Sequence, residues 1–342
     1  MQAPRIVFLA DAGPSVGGGH VMRCLTLAQA LASAGARCAF IETPAAKAVL
    51  DAFAEPAIER LTVVGGTVDD LAAQGARAAH DWSANAAIID HYGFTPEHEG
   101  VVARWVRRLL VIDDLRRPHV CDLVLDSNLG RTAADYPGPA TLMGTRYALV
   151  RPGFAALRED TLGRRRAEPP VSRILVSLGL TDVGGITARV VEALAPVLGD
   201  IGLDVAVGGA APSLPRLRAL AASQSGIALH VDSTEMAALT ARADLAIGAG
   251  GSSTWERCCL GLPTVTLVLA DNQRPNALAL AAAGAAVVVD ADDERFDERL
   301  RASVGVLIAS ATERRKLSEA AARLCDGRGA GLVVSRLRGL LG

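Results

Sequence analysis

Near the start of the chain, Asp11-Ala12-Gly13 leads through Gly17-Gly18-Gly19 to His20, with Arg23 following in an Ala- and Leu-rich run. Clustered glycines permit positive φ and close backbone approach. A helix opening at such a turn offers free N–H groups to an anion. His20 opens that helix, where the dipole disfavours an imidazolium and favours a neutral general base; a capping or packing histidine is the plainer reading. Asp11, at the end of the preceding strand, is placed to hold the second ring nitrogen. Arg23 shares the helix face of His20 and suits a phosphate or a carboxylate partner. Gly17 and Gly19 would supply the backbone around a ligand. The turn is neither a Walker A loop nor a clean G-x-G-x-x-G, but Glu42 near the end of the next strand requires a dinucleotide-binding dehydrogenase to be weighed.

Two further turns run from an apolar strand into a helix. Ser177-Leu178-Gly179-Leu180-Thr181-Asp182 offers small residues and backbone N–H groups. Gly248-Ala249-Gly250-Gly251-Ser252-Ser253-Thr254-Trp255-Glu256 combines three glycines with three hydroxyls, a set suited to diphosphate oxygens. Glu256 falls in the first helical turn, where it either stabilises the dipole or accepts from ribose hydroxyls. Asn272 and Gln273, after the next strand, either clamp sugar hydroxyls or cap a helix. Tyr92 is one of three tyrosines and follows an apolar strand. It is expected to face the site or to pack as a structural aromatic. Asp113-Asp114 follows another strand, but no histidine stands at ligand spacing and no metal is expected.

These turns must be positioned by alternating strands and helices. In the first half, strands are predicted at Arg5–Ala10, Ala36–Ile41, Leu61–Val64, Ala86–Asp90, Leu109–Ile112 and Leu123–Leu125. Helices fall between them at His20–Ala34, Val68–His80 and Thr95–Arg107. The pattern restarts with strands at Arg173–Ser177, Gly202–Val207, Ala228–Val231, Asp244–Ile247, Thr264–Val268 and Ala286–Val289. Continuous apolar strands separated by helices imply parallel sheets covered on both faces. The reading is two doubly wound, Rossmann-like α/β domains facing each other across a cleft. They span 1–157 and 171–342, with a polar, Arg- and Pro-rich linker at 158–170 and the last helices packing back on the first domain. Ligands in such folds sit at the carboxyl ends of the strands.

The 342 residues are half apolar and 21% charged, with a net charge of −2. This excludes a disordered chain, and the lack of a basic block argues against nucleic acid or stable membrane association. The longest apolar stretches fall short of the ~18 residues a membrane span needs, and residues 1–10 lack the features of a secretory signal. Six cysteines without C-x-x-C spacing are expected to be reduced and structural in a cytoplasmic protein. A monomer or weak dimer that uses no cofactor is expected.

Several segments together resemble a known family. They are Asp11…Gly17-x-Gly19-His20-Val-Met-Arg23, Asp90-His-Tyr92-Gly93, Asp113-Asp114-Leu…Arg117-Pro-His119, Asp126-x-Asn128-Leu-Gly130, Gly144-x-Arg146-Tyr, Gly251-Ser-Ser-Thr-Trp-Glu256 and Asp271-Asn272-Gln273. The chain is similar, over about residues 5 to 290, to the UDP-2,4-diacetamido-2,4,6-trideoxy-β-L-altropyranose hydrolases of pseudaminic acid biosynthesis. The resemblance implies a GT-B fold and metal-independent, inverting hydrolysis of a UDP-sugar. It implies His20 as base, Tyr92 as an active-site tyrosine, and UDP against Gly251–Glu256 and Asn272. The chain departs from the family's usual residues at Leu9, Gly13, Leu180 and Val183. The alternatives are a GT-B glycosyltransferase, a hydrolysing 2-epimerase and a non-catalytic nucleotide-sugar binding module.

Overall fold

The computed structural model describes residues 3–13 and 16–341. The chain divides into two compact units, residues 1–149 with 328–342 and residues 150–327. In the first unit, β1 (Arg5–Ala10) leads into α1 (Gly19–Ser33), followed by β2 (Arg37–Glu42), α2 (Pro44–Phe53), β3 (Glu59–Thr62) and α3 (Val68–Asp81). Then come β4 (Ala86–Asp90), α4 (Pro96–Ala103), β5 (Arg108–Ile112), β6 (Leu123–Asp126) and β7 (Ala140–Met143). The strands form one parallel sheet in the order β3-β2-β1-β4-β5-β6-β7.

Side chains alternate faces along a strand, and both faces are used. Ile6, Phe8 and Ala10 of β1 join the core beneath α1, while Val7 and Leu9 join the core beneath α3. Phe8 stacks on Phe40 of β2 with ring centroids 5.0 Å apart. Leu9 reaches Gly75 of α3 so closely that a Cβ there would meet its Cδ1 at 2.7 Å. The leucine is therefore a packing residue, buried to 4% exposure.

The second unit opens with α5 (Pro152–Arg166). The linker expected at 158–170 is thus helical through Arg166. Arg158, Arg164 and Arg165 are not solvated linker charges. Arg158 donates to the carbonyls of Cys325 and Ala322, and Arg164 and Arg165 donate to those of Ala241, Ala243, Leu260 and Thr240. These are carbonyl groups at helix ends that would otherwise lack partners. There follow β8 (Arg173–Ser177), α6 (Ile186–Leu198), β9 (Gly202–Val207), α7 (Leu214–Ser223), β10 (Ile227–Val231) and α8 (Met236–Arg242). The unit continues with β11 (Leu245–Ala249), α9 (Ser253–Cys259), β12 (Thr264–Val268), α10 (Arg274–Ala282), β13 (Val287–Asp290), α11 (Phe296–Ala309) and α12 (Ala311–Leu324). Its parallel sheet has the order β10-β9-β8-β11-β12-β13.

The last helix, α13 (Gly329–Leu341), belongs to the first unit. Val333, Val334 and Leu337 enter the core beneath α1. Gly329 is required there, because a Cβ would lie 2.2 Å from the Ala148 carbonyl oxygen. All six cysteines are free, and burial pushes the thiols of Cys38, Cys121, Cys258 and Cys325 up to about 12. Cys258 and Cys259 lie buried on α9. No helix among the described residues is long and apolar enough to cross a membrane.

Candidate active site

In the first sheet the strand order reverses between β1 and β4, so the loops leaving their carboxyl ends diverge and open a crevice. Ala10 pairs in register with Asp90, which brings the turn after β1 against the end of β4. Gly17 is held there at φ +84°, with its N–H bonded to the Gly13 carbonyl at 2.8 Å. Helix α1 begins at Gly19 with no side chain capping it. His20 follows, 5% exposed.

The His20 ring lies 2.6 Å from Asp90 through Nδ1 and Oδ1. Arg23, one turn along α1, donates to the same carboxylate through Nε at 2.5 Å and a terminal nitrogen at 2.6 Å, and to Asp114 at 3.1 Å. Burial would raise the Asp90 carboxyl, but the charges of Arg23 and His20 outweigh it and hold the group well below the usual carboxylate range. An ionised Asp90 can only accept, so Nδ1 of His20 is the donor, and a neutral imidazole held this way has its lone pair on Nε2. This is the tautomer a general base needs. Tyr92 meets the imidazole edge-on, centroids 4.4 Å apart, and donates its hydroxyl to Asp114 at 2.9 Å. Burial and the Asp114 charge raise the Tyr92 phenol far above its ordinary value, so it stays a donor.

Asp11 does not hold His20, contrary to the expectation from its place at the strand end. Its carboxylate accepts from the Tyr92 backbone N–H at 3.2 Å and lies 3.7 Å from His91. The reason is the register: Asp90 occupies the position beside His20, and Asp11 sits one step beyond it. Arg23, proposed for a phosphate or a carboxylate, is committed to two carboxylates. Asp113 turns away into a separate buried network. Its oxygens accept from the Leu115 and Arg117 N–H groups, the Arg117 side chain and the Tyr136 hydroxyl. With His119 at 3.7 Å as well, no oxygen of Asp113 is left facing an open metal position. Arg131 donates to the Asp114 backbone oxygen and to Asp126, tying this network to the site.

The second sheet reverses order between β8 and β11, and Ser177 pairs in register with Gly248. The two small-residue turns therefore leave the sheet side by side. In the first, Gly179 takes φ +112° and is exposed. Asp182 is fully buried and fixes the turn by accepting from the Thr187 N–H and hydroxyl and from the Ser213 N–H. In the second, the N–H groups of Gly251, Ser252 and Ser253 have no protein acceptor among the described residues. Thr254 is committed otherwise, its hydroxyl bonded to the Ala249 carbonyl. Gln273 wraps this turn, Oε1 accepting from the Gly250 N–H at 3.2 Å. Glu256 is gripped in bidentate fashion by Arg151, at 2.6 and 2.9 Å. Asn272 lies exposed on the single turn Asp271–Gln273.

The structure gathers His20, Arg23, Tyr92 and Asp11 in one unit, and Ser177, Gly179, Gly251, Ser252, Ser253, Glu256 and Gln273 around one crevice of the other. Sequence reasoning gave no role to Asp90 or Arg151 and weighed Asp114 only as a metal ligand. The signal for Asp90 was a carboxylate closing an otherwise wholly apolar strand.

Residues 226–325 match the glycosyltransferase family 28 C-terminal domain. The structure is similar to the crystal structure of Acinetobacter baumannii MurG, with a TM-score of 0.69 at 16% identity, covering 98% of this chain and 99% of that one. The fold is GT-B. In sequence, the chain is 29% identical over 199 residues to the spore coat polysaccharide biosynthesis protein SpsG of Bacillus subtilis, a match spanning 58% of each chain. It is 23% identical over 286 residues to a UDP-2,4-diacetamido-2,4,6-trideoxy-beta-L-altropyranose hydrolase of Campylobacter jejuni, covering 82% of this chain and 97% of the relative.

Proposed function

We propose that this GT-B protein is an enzyme acting on UDP-sugars, and specifically an inverting hydrolase of a UDP-linked 2,4-diacetamido-2,4,6-trideoxyhexose of the altrose type. The observation that carries the reading is the buried His20–Asp90 pair at the switch point of the first sheet, whose Nδ1 contact leaves Nε2 as the nitrogen a neutral imidazole can use as base. In the reaction, His20 Nε2 takes a proton from water as the water oxygen bonds to the anomeric carbon. The bond from that carbon to the β-phosphate oxygen breaks, and its electron pair leaves on UDP. A diphosphate leaves readily, so a general acid is dispensable. Tyr92 packs against the base, and Asp11 positions Tyr92 through its backbone. The likeness to the Campylobacter hydrolase, over nearly all of that relative, supports the substrate class.

UDP is assigned to the second unit: the diphosphate to Gly251–Ser253 with Ser177 and Gly179, the ribose to Glu256, and Asn272 and Gln273 to the border of that site. The family 28 match over 226–325 favours a second reading, a glycosyltransferase in which an acceptor hydroxyl replaces water. A panel of UDP-sugars, with and without acceptor alcohols, separates the two. Hydrolysis releases UDP and a free sugar whose first-formed anomer, read by NMR, is inverted. His20→Asn should lower turnover by about 10²–10⁴ while leaving UDP affinity nearly unchanged. UDP release only in the presence of an acceptor would establish the transferase, and no release from any UDP-sugar would reject both.

A further inference from the structure

Beneath the Gly-rich turn of the second unit lies Arg257, 4% exposed. It makes no ion pair among the described residues, since the neighbouring Glu256 is taken by Arg151. Its guanidinium packs flat on Gly248, where a Cβ would come within 2.4 Å of Cζ. One terminal nitrogen donates to the Ala249 carbonyl at 2.6 Å and to Thr254 Oγ1 at 3.1 Å, and the other donates to Ser253 Oγ at 3.0 Å. Nε has no partner. A buried cation without a counter-charge costs several kcal/mol in desolvation, and burial lowers this guanidinium to about 10.

An arginine only donates, so its bond makes Ser253 Oγ an acceptor and leaves the serine hydrogen for another oxygen. The hydrogen of Thr254 already has one, in the Ala249 carbonyl. Ser253 does not, and its own backbone N–H and those of Gly251 and Ser252 are open beside it. With Arg151 and Glu256 cancelling each other, one positive charge remains under the turn.

We propose that Arg257 is a positioning residue for an anionic ligand at this turn, orienting Ser253 as a hydroxyl donor and supplying uncompensated positive charge. The inference rests on the nucleotide-sugar reading above and takes the ligand to be a diphosphate. The residue acts through Ser253 and the backbone, without touching the ligand.

The test compares UDP with uridine, which lacks the phosphates, in titrations of the full chain. Arg257→Met should weaken UDP by about tenfold or more, the scale of a lost charge-assisted contact, and change uridine by less than about twofold. Ser253→Ala should weaken UDP selectively and more mildly, and should add nothing in the double variant, since the two act as one unit. Equal loss of UDP and uridine in Arg257→Met would make the arginine merely structural and overturn the inference. So would undiminished UDP binding, or full additivity in the double variant. If Arg257→Met fails to fold, Ser253→Ala decides: selective loss of UDP upholds the inference and unchanged UDP overturns it. A folded wild-type chain that binds no UDP would instead reject the nucleotide-sugar reading, and this inference with it.

Discussion

Replacing Asp90 by asparagine tests the catalytic geometry at its least redundant point. The side chain is fully buried and serves two donors, His20 Nδ1 and the Arg23 guanidinium. Asparagine has the same shape but offers one oxygen and one NH2 group. If the oxygen faces Arg23, the amide donor faces His20 and forces the hydrogen onto Nε2, abolishing the base. If the oxygen faces His20, two donors confront each other at Arg23. Breaking a buried ion pair costs about 3–5 kcal/mol, here reduced by the bond Arg23 keeps to Asp114. A loss near 2–3 kcal/mol would lower the melting temperature by roughly 4–12 °C in a domain of this size. Turnover should fall by about 10³–10⁴, because the tautomer and the charge beside the imidazolium are lost together. The assay is UDP release under substrate saturation, with UDP affinity titrated separately and expected to hold. Turnover within tenfold of wild type, in a variant that melts lower as expected, would show that Asp90 is structural and the base lies elsewhere.

Activity should survive EDTA in full, since the oxygens of Asp113 and Asp114 are already engaged by donors; loss restored by a divalent cation would contradict this. Gly248→Ala should destabilise the second unit by about 1–3 kcal/mol and weaken UDP binding, because the new Cβ displaces the Arg257 guanidinium; unchanged melting and affinity would count against the packing described. The side chain of His119 is buried between Glu99 at 2.7 Å and Asp113 at 3.7 Å. Burial pushes it down, but the two carboxylates outweigh this and raise it to about 9. Its folded value lies above the unfolded ~6.5, so its contribution of about 3 kcal/mol is complete below pH ~6.5 and is lost as pH rises through 9. Denaturant midpoints should fall over that window in wild type and much less in His119→Asn; parallel curves would refute the assignment.

The elements with a local signal were legible. β1, β4 and β8 are short runs with wholly apolar centres, and His20 announces itself by following three glycines into a helix. What escaped was set by topology. Asp90 lies 70 residues from His20 and reaches it only because β4 inserts beside β1, skipping β2 and β3. Nothing in the spacing of Asp11 and His20 reveals that insertion, and the nearer carboxylate looked like the partner. Segment 158–170 misled for another reason. Its arginines are polar by composition, yet Arg158, Arg164 and Arg165 find carbonyl partners at distant helix ends, which a charge pattern cannot show. The pairing of Glu256 with Arg151 was hidden likewise, because the partner precedes it by more than a hundred residues.

The place of α13 has a consequence for the order of events during synthesis. The second unit is one continuous stretch, 150–327, and its entire core is present once that stretch has left the ribosome. The first unit is begun earlier but lacks Val333, Val334 and Leu337 until the second unit has been made. Domains ordinarily fold in the order they emerge; here the half made first is completed last. Until then, the apolar flank of α1 that receives those three side chains stays uncovered, a stretch for chaperones to guard. Chains stopped before residue 329 should therefore fold their second unit normally and aggregate through their first.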